Sequence, residues 1–156
     1  MRKIILNIYI LGCQIGWHQF IGNCYKYTEN IFDSWTEARN FCTDNGGDLA
    51  SIPDEETNDF LLSLISSRTF IGGVLDSSTG AWSWTDGTLF SFTKWASHQP
   101  SGERRQYVLE LTEDGTWNNL GSDGFQNQRH ALCQRPATQT WSGDGKCFFK
   151  LNWSPY

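Results

Sequence analysis

Ser34-Trp35-Thr36-Glu37-Ala38-Arg39-Asn40-Phe41-Cys42 and, past Asn45-Gly46-Gly47, Asp48-Leu49-Ala50-Ser51-Ile52-Pro53 form the stretch on which the fold turns. Ser34 and Glu37 make a Ser-x-x-Glu capping box, in which a hydroxyl and a carboxylate satisfy amides that the first helical turn leaves unpaired. Trp35, Ala38, Phe41 and Cys42 then recur at helical spacing until Asn45-Gly46-Gly47 stops the pattern, which predicts a helix over residues 34–45. Residues 48–53 read as an extended link. Asp54-Glu55-Glu56 then load the first turn of a second helix with the negative charge that a helix start favours. Its buried stripe is read as Phe60, Leu61, Leu64 and Ile65.

Working outward toward the C-terminus, the helical period disappears from Thr69 onward. Gly, Ser, Thr and Asp punctuate short aromatic or β-branched runs: Phe70-Ile71, Trp82-Ser83-Trp84, Phe90 with Phe92, and Tyr107-Val108-Leu109-Glu110-Leu111. These runs are predicted strands. Two helices ahead of several short strands indicate an α+β domain with antiparallel strands and not an alternating βαβ one. Residues 93–106 hold Pro, Gly, Ser and charges without periodicity, and a loop of that length in a compact domain is usually either a binding loop or disordered. Toward the N-terminus, Cys13, Trp17, Phe20, Cys24 and Tyr25 surround the turn signal Gly22-Asn23 and read as a hairpin.

Composition bounds the function. A length of 156 residues suits one ordinary domain, at roughly 100–200 residues each. Twelve Lys and Arg against 17 Asp and Glu leave a net charge of −5 with no basic block, so nucleic acid is not an expected partner. Aromatics reach 15% with 8 Trp, enough apolar surface for a packed core. No apolar run approaches the roughly 18 residues that a membrane span needs. Residues 1–12, Met1-Arg2-Lys3 followed by Ile4 to Gly12, read either as a secretory signal-like segment or as an N-terminal strand alternating through Leu6, Ile8 and Ile10. Cysteines stand at 13, 24, 42, 133 and 147, without Cys-x-x-Cys or a histidine at metal-ligand spacing, so zinc is not expected. Two bridges can be drawn among five cysteines in fifteen ways, and spacing alone does not choose.

The ordered landmarks taken together resemble the C-type lectin-like domain family, over residues 13–135. Cys13 to Tyr25 is similar to the family's long-form entry hairpin. Trp35, Ala38 and Cys42 are similar to its first helix, and Leu49-Ala50-Ser51-Ile52 to the inter-helix link. Phe70-Ile71-Gly72-Gly73 stands where the family has Trp-Ile-Gly-Leu. Trp82-Ser83-Trp84-Thr85-Asp86-Gly87, Trp95, Gln99-Pro100-Ser101, Trp117-Asn118-Asn119 and Leu132-Cys133 follow in the family's order. The resemblance implies the disulfides Cys13–Cys24 and Cys42–Cys133. It also implies an inner bridge across the long loop, but Tyr107 stands where one half belongs and Leu120-Gly121-Ser122 supplies no partner. Both halves are missing together, so no orphan thiol is left buried.

In sugar-binding members of this family one calcium ion sits in the long loop, and the resemblance places its ligands at Gln99, Ser101, Glu103, Asn118 and Asn119. Calcium requires hard oxygen donors with carboxylates to balance its charge. Pro100 is placed for the cis bond that orients the first ligands, and Gln99 resembles the galactose-type pattern. The set is depleted: Ser101 replaces Asn or Asp, Asn119 replaces Asp, and Arg105 stands where a carboxylate is expected. Unless Glu103 enters the site no carboxylate coordinates the ion, and a retained site should be weak. The same residues with His98 make the expected carbohydrate-binding set, with Tyr107 able to stack on a sugar face and Arg104-Arg105 able to pair with an anionic glycan. Each has a plainer role: Trp82, Trp84 and Trp117 as core aromatics, Asn118 and Asn119 as turn residues, and His98 and the arginines as solvated loop groups.

The sequence therefore points to a secreted, extracellular carbohydrate-binding lectin module, galactose-type if calcium binds, with a glycan or glycoprotein as partner. The alternative is a calcium-independent domain recognising a protein or an anionic surface. His18, His98 and His130 lack any arrangement that marks a triad or metal site, so an enzyme is not expected. Residues 136–156 are read as a tail. Within it, Trp141 to Phe148 resembles the entry hairpin, as if a second, truncated module began there, or else Cys147 links two chains as a disulfide dimer.

Overall fold

In the computed structural model, residues 11–102, 107–121 and 128–139 are described. Glu103, Arg104, Arg105, residues 1–10 and the tail from residue 140, with Cys147, lie outside them.

Strand β1 is Leu11–Gly12, β2 His18–Phe20 and β3 Asn23–Tyr27; helix α1 is Trp35–Asp44, β4 Asp48–Leu49 and α2 Glu55–Leu62. The strands β5 Thr69–Asp76, β6 Ala81–Trp84, β7 Val108–Leu111, β8 Trp117–Leu120, β9 His130–Pro136 and β10 Thr138–Gln139 follow. Two helices set between the opening strands and the run from β5 to β10 give the α+β C-type lectin-like architecture. The main sheet runs β2-β3-β9-β5-β7-β8, with β4 added to β9 and β6 to β5. Its neighbours are antiparallel except β5 and β9, which run parallel over Thr69↔His130 and Phe70↔Ala131.

Helix α1 begins as its capping residue dictates: Ser34 Oγ accepts from Glu37 N at 3.1 Å. The returning arm of the box reaches one residue further back, Asp33 N donating to Glu37 Oε2 at 3.1 Å. Its inner face buries Trp35, Ala38 and Cys42. Trp35 Nε1 donates to the Ile71 carbonyl at 2.8 Å and Cys42 is bonded to Cys133, so α1 is tied to both β5 and β9. Asp54 caps α2 by accepting from Thr57 N at 2.7 Å.

Three sequence readings are corrected. Helix α2 ends at Leu62, so Leu64 and Ile65 pack from the following turn, and the helix buries Thr57 and Asn58 beside Leu61. Asn58 can enter the core because both ends of its amide are bonded there. Phe90 and Phe92 are not in a strand; they lie in the connection between β6 and β7 and place their rings against Trp117 at 6.2 and 5.6 Å. The entry hairpin turns at Ile21-Gly22, both at positive φ, and not at Gly22-Asn23, since Asn23 already opens β3. Two positive-φ residues match the twist of a two-residue hairpin.

At the chain ends, Leu11 pairs with Gln139 and Gly12 with Thr138. Strand pairing therefore reaches beyond residues 13–135 on both sides. Cys13–Cys24 closes within the entry hairpin, and Cys42–Cys133 encloses 91 residues of sequence separation. The core divides over the sheet. Ile71, Leu109, Leu111, Trp84 and Trp117 fill one side, and Trp35, Cys42, Phe70, Val108, Leu120 and Cys133 the other.

Candidate functional site: the long-loop rim

Trp117 organises the loop after β6. It is fully buried, and Trp84, Phe90, Phe92 and Trp95 each meet its ring edge-on, with centroids 5.4 to 6.2 Å away. A buried indole N–H usually finds a partner, and Trp117 Nε1 donates to Asn58 Oδ1 at 2.8 Å while Asn58 Nδ2 donates to the Gly115 carbonyl at 3.0 Å. The backbone is latched at the same place: Trp117 N donates to the Lys94 carbonyl at 2.8 Å and Ala96 N to the Trp117 carbonyl at 3.0 Å. Trp84 and Trp117 are thus core residues, and Trp82 is half-buried against Trp95.

Beyond this latch the chain turns. Gln99 N donates to the Ala96 carbonyl at 3.0 Å, His98 adopts a left-handed φ of 62° and stands exposed, and the Gln99–Pro100 bond is cis. This geometry brings Gln99 and Ser101 onto Asn119 of β8. Ser101 N donates to Asn119 Oδ1 at 2.7 Å and to Gln99 Oε1 at 2.9 Å, and Asn119 Nδ2 donates to the Ser101 carbonyl at 3.0 Å. Asn119 N adds a long contact of 3.5 Å to Gln99 Oε1. Oxygen-bearing groups from the loop and from β8 therefore do meet on the rim.

Asn118 goes elsewhere. Side chains alternate along a strand, so while Asn119 faces the loop, Asn118 Nδ2 donates to Glu110 Oε1 at 2.9 Å on the opposite side of the sheet. Glu110 is buried, at 2% exposure, and is paired with Arg129 Nε and, at 3.5 Å, with Arg68 Nη1. A buried carboxylate needs such compensation. Glu110, Arg129, Asn58 and Lys94 were not singled out in the sequence. The signal available was a lone Glu inside an apolar strand run and a lone Asn beside Leu61 on a buried helical stripe.

Two charged groups outside the rim are tightly held. Lys94 pairs with Glu55 and, at 3.5 Å, with Asp59, and the hydrogen bond to Glu55 raises its pKa above the ordinary lysine value. Asp114, in the turn between β7 and β8, is held down to about 2 by hydrogen bonds from the Thr112 and Thr116 hydroxyls.

Calcium takes 6–8 oxygens at about 2.3–2.6 Å and gains affinity from ligand charge. The described donors Gln99, Ser101 and Asn119 are neutral, and Gln99 Oε1 and Asn119 Oδ1 both accept from backbone amides. Among the described residues no group of three or more His, Cys, Asp or Glu converges as a metal site. The described donor set does not fit a calcium ion.

Comparison with known proteins places this fold and its loop in one family. The model of the Lectin C-type domain matches residues 32–135. The chain belongs to the Lectin C-type domain family. Among relatives of this C-type lectin domain, the type-2 ice-structuring protein of Hemitripterus americanus is 33% identical over 111 residues, covering 70% of this chain and 68% of that protein. The galactose-specific lectin nattectin of Thalassophryne nattereri is 31% identical, over 69% of this chain and 72% of its own. Lymphocyte antigen 75 of Mus musculus is 26% identical over 91% of this chain, which spans only 9% of that protein. A solved calcium-independent type II antifreeze protein superposes with a TM-score of 0.77 at 26% identity, covering 84% of this chain and 99% of its own.

Proposed function

We propose that this C-type lectin domain is a non-catalytic, extracellular recognition module that engages a glycan or glycoprotein, or a protein ligand, through the rim around Gln99, Ser101 and Asn119, without calcium. The observation that carries this reading is the closed clasp in which Ser101 N donates to both Gln99 Oε1 and Asn119 Oδ1. Those are the oxygens that a calcium ion would recruit, and no described carboxylate stands with them to balance its charge. His98, next to Gln99 in the chain, and Tyr107, just before β7, are exposed and offer an imidazole and a phenol to a ligand. Two disulfides support an oxidising, extracellular setting, and no helix among the described residues is long and apolar enough to cross a membrane.

A second reading keeps calcium and a galactose-type ligand. The cis Gln99–Pro100 bond favours it, with Ser101 and Asn119 as further donors and Glu103 as the carboxylate within the loop sequence. One experiment separates the two: a glycan array with calcium and with a chelator, beside a calorimetric calcium titration. Glycan signals that persist in chelator, with no calcium heat, support the first reading. Saturable calcium binding with galactoside signals lost in chelator supports the second. The names of the ice-structuring relatives add ice as a rival ligand, which thermal hysteresis measures directly.

The tail bears a separate reading. We take Trp141 to Phe148 as the opening of a further lectin-like module, a reading favoured by the lymphocyte antigen 75 match, which reaches past residues 13–135. A Cys147-linked dimer is the alternative. Electrophoresis with and without reductant distinguishes them: a dimer lost on Cys147→Ser supports linkage, and a monomer with one free thiol supports the module.

A further inference from the structure

The loop that carries the rim leaves the core at Lys94-Trp95-Ala96. Its backbone is latched to β8 there through two hydrogen bonds, Trp117 N to the Lys94 carbonyl and Ala96 N to the Trp117 carbonyl. The inner disulfide that would close the loop farther out is missing, since Tyr107 occupies one of its positions. Trp95 on Trp117, and Trp117 on Asn58, join the root to α2 indirectly, and one side chain also joins it to the helix directly.

The side chain of Lys94 does so. Glu55 and Asp59 stand one turn apart on α2, where like charges at that spacing repel. Lys94 Nζ lies between them, bonded to Glu55 Oε1 and 3.5 Å from Asp59 Oδ1, at 29% side-chain exposure. A single cation thus relieves the repulsion on α2 and ties the helix to the loop. Five residues on, Gln99 N reaches back to the Ala96 carbonyl, so the position of the clasp follows from the position of this root.

We propose that Lys94 is a positioning residue for the recognition rim: its ion-pair triad with Glu55 and Asp59 holds the loop root on α2 in place of the missing covalent closure. This rests on the reading of the rim as the binding surface, but its test needs no ligand. Hydrogen exchange is followed at the Ala96, Gln99 and Ser101 amides in the intact chain, with the Ala50 and Thr28 amides, which donate to Leu132 and Ala131 of β9, as references away from the loop and from α2. Lys94→Met is expected to speed exchange at the three loop amides by about two- to fivefold, the range a partly exposed ion pair supports, and to leave the reference amides unchanged. Lys94→Arg should restore protection, as should the exchanged pair Lys94→Glu with Glu55→Lys. Salt near 1 M, which shortens the screening length to about 3 Å, should mimic Lys94→Met in the unaltered chain. Unchanged loop exchange in Lys94→Met, or faster exchange at loop and reference amides alike, overturns the proposal. Failure of every glycan to bind the unaltered chain would instead count against the reading of the rim and leave this result intact.

Discussion

Ser101 and Asn119, 18 residues apart, hold each other by two hydrogen bonds: Ser101 N donates to Asn119 Oδ1 at 2.7 Å and Asn119 Nδ2 donates to the Ser101 carbonyl at 3.0 Å. One amide side chain thus splices the loop backbone to the edge strand β8. Asn119 is 5% exposed while Ser101 is half-buried, so only the Asn119 end of the pairing is shielded from water.

Asn119→Ala should therefore cost about 0.5–1.5 kcal/mol, the net worth of an ordinary hydrogen bond, because Ser101 N keeps Gln99 Oε1 as an acceptor. Urea denaturation with an unchanged slope checks this. Limited proteolysis should show earlier cutting within residues 97–106, because that loop loses its attachment to β8. The double change Ser101→Asp with Asn119→Asp supplies two carboxylates at the same point. Calorimetry is expected to show calcium binding in that variant that is tighter than in the unaltered chain.

The two disulfides should differ in worth. The chain-entropy model assigns about 4–5 kcal/mol to a bridge spanning 91 residues, as Cys42–Cys133 does, and about 3 kcal/mol to one spanning 11, as Cys13–Cys24 does. Paired Cys→Ala variants compared by denaturant midpoint test the order. Equal losses would mean that the denatured chain retains structure around one of the bridges.

Glu110 is buried between Arg129 and Arg68, and the two arginines are not equivalent. The side chain of Arg129 is 15% exposed and that of Arg68 51% exposed. Arg129→Ala should destabilise by about 3–5 kcal/mol, since it strands a buried charge, whereas Arg68→Ala should cost no more than about 1 kcal/mol. Thermal or urea unfolding of the two variants provides the comparison.

The Asp114 carboxyl titrates at about 2 in the folded chain, below the ordinary carboxylate range, because Thr112 and Thr116 donate to it. A folded-state value below the unfolded one means a contribution present above about pH 4 and lost as pH falls toward 2. Solvent screening at this exposed turn keeps it under about 1 kcal/mol. Asp114→Asn should flatten the stability profile across that window and leave the profile above pH 5 unchanged in shape.

Much of this molecule follows from short-range chemistry. The Ser34 cap, the period of Trp35, Ala38 and Cys42, and the Asp54 start of α2 are settled within a few residues of chain, so the helices were legible directly. Phe90 and Phe92 misled because aromatic alternation resembles a half-buried strand, while what buries them is Trp117, 25 or more residues away in sequence. Gln99, Ser101 and Asn119 could be named as candidates from their motifs, but no spacing rule says that Asn118 would turn from the rim toward Glu110.

Capping, periodicity and charge are properties of neighbours along the chain, and they alone set the limits of α1 near 34–45, the aromatic supply of the core and the shortage of carboxylates in the loop. Tertiary structure alone decided that Asn119 joins Ser101 while Asn118 joins Glu110, that Lys94 reaches two acids on α2, and that Leu11–Gly12 finds Thr138–Gln139. Those choices depend on which face of a strand, and which distant segment, the packed core brings within hydrogen-bonding distance, and that is fixed only once the whole chain has closed around Trp117.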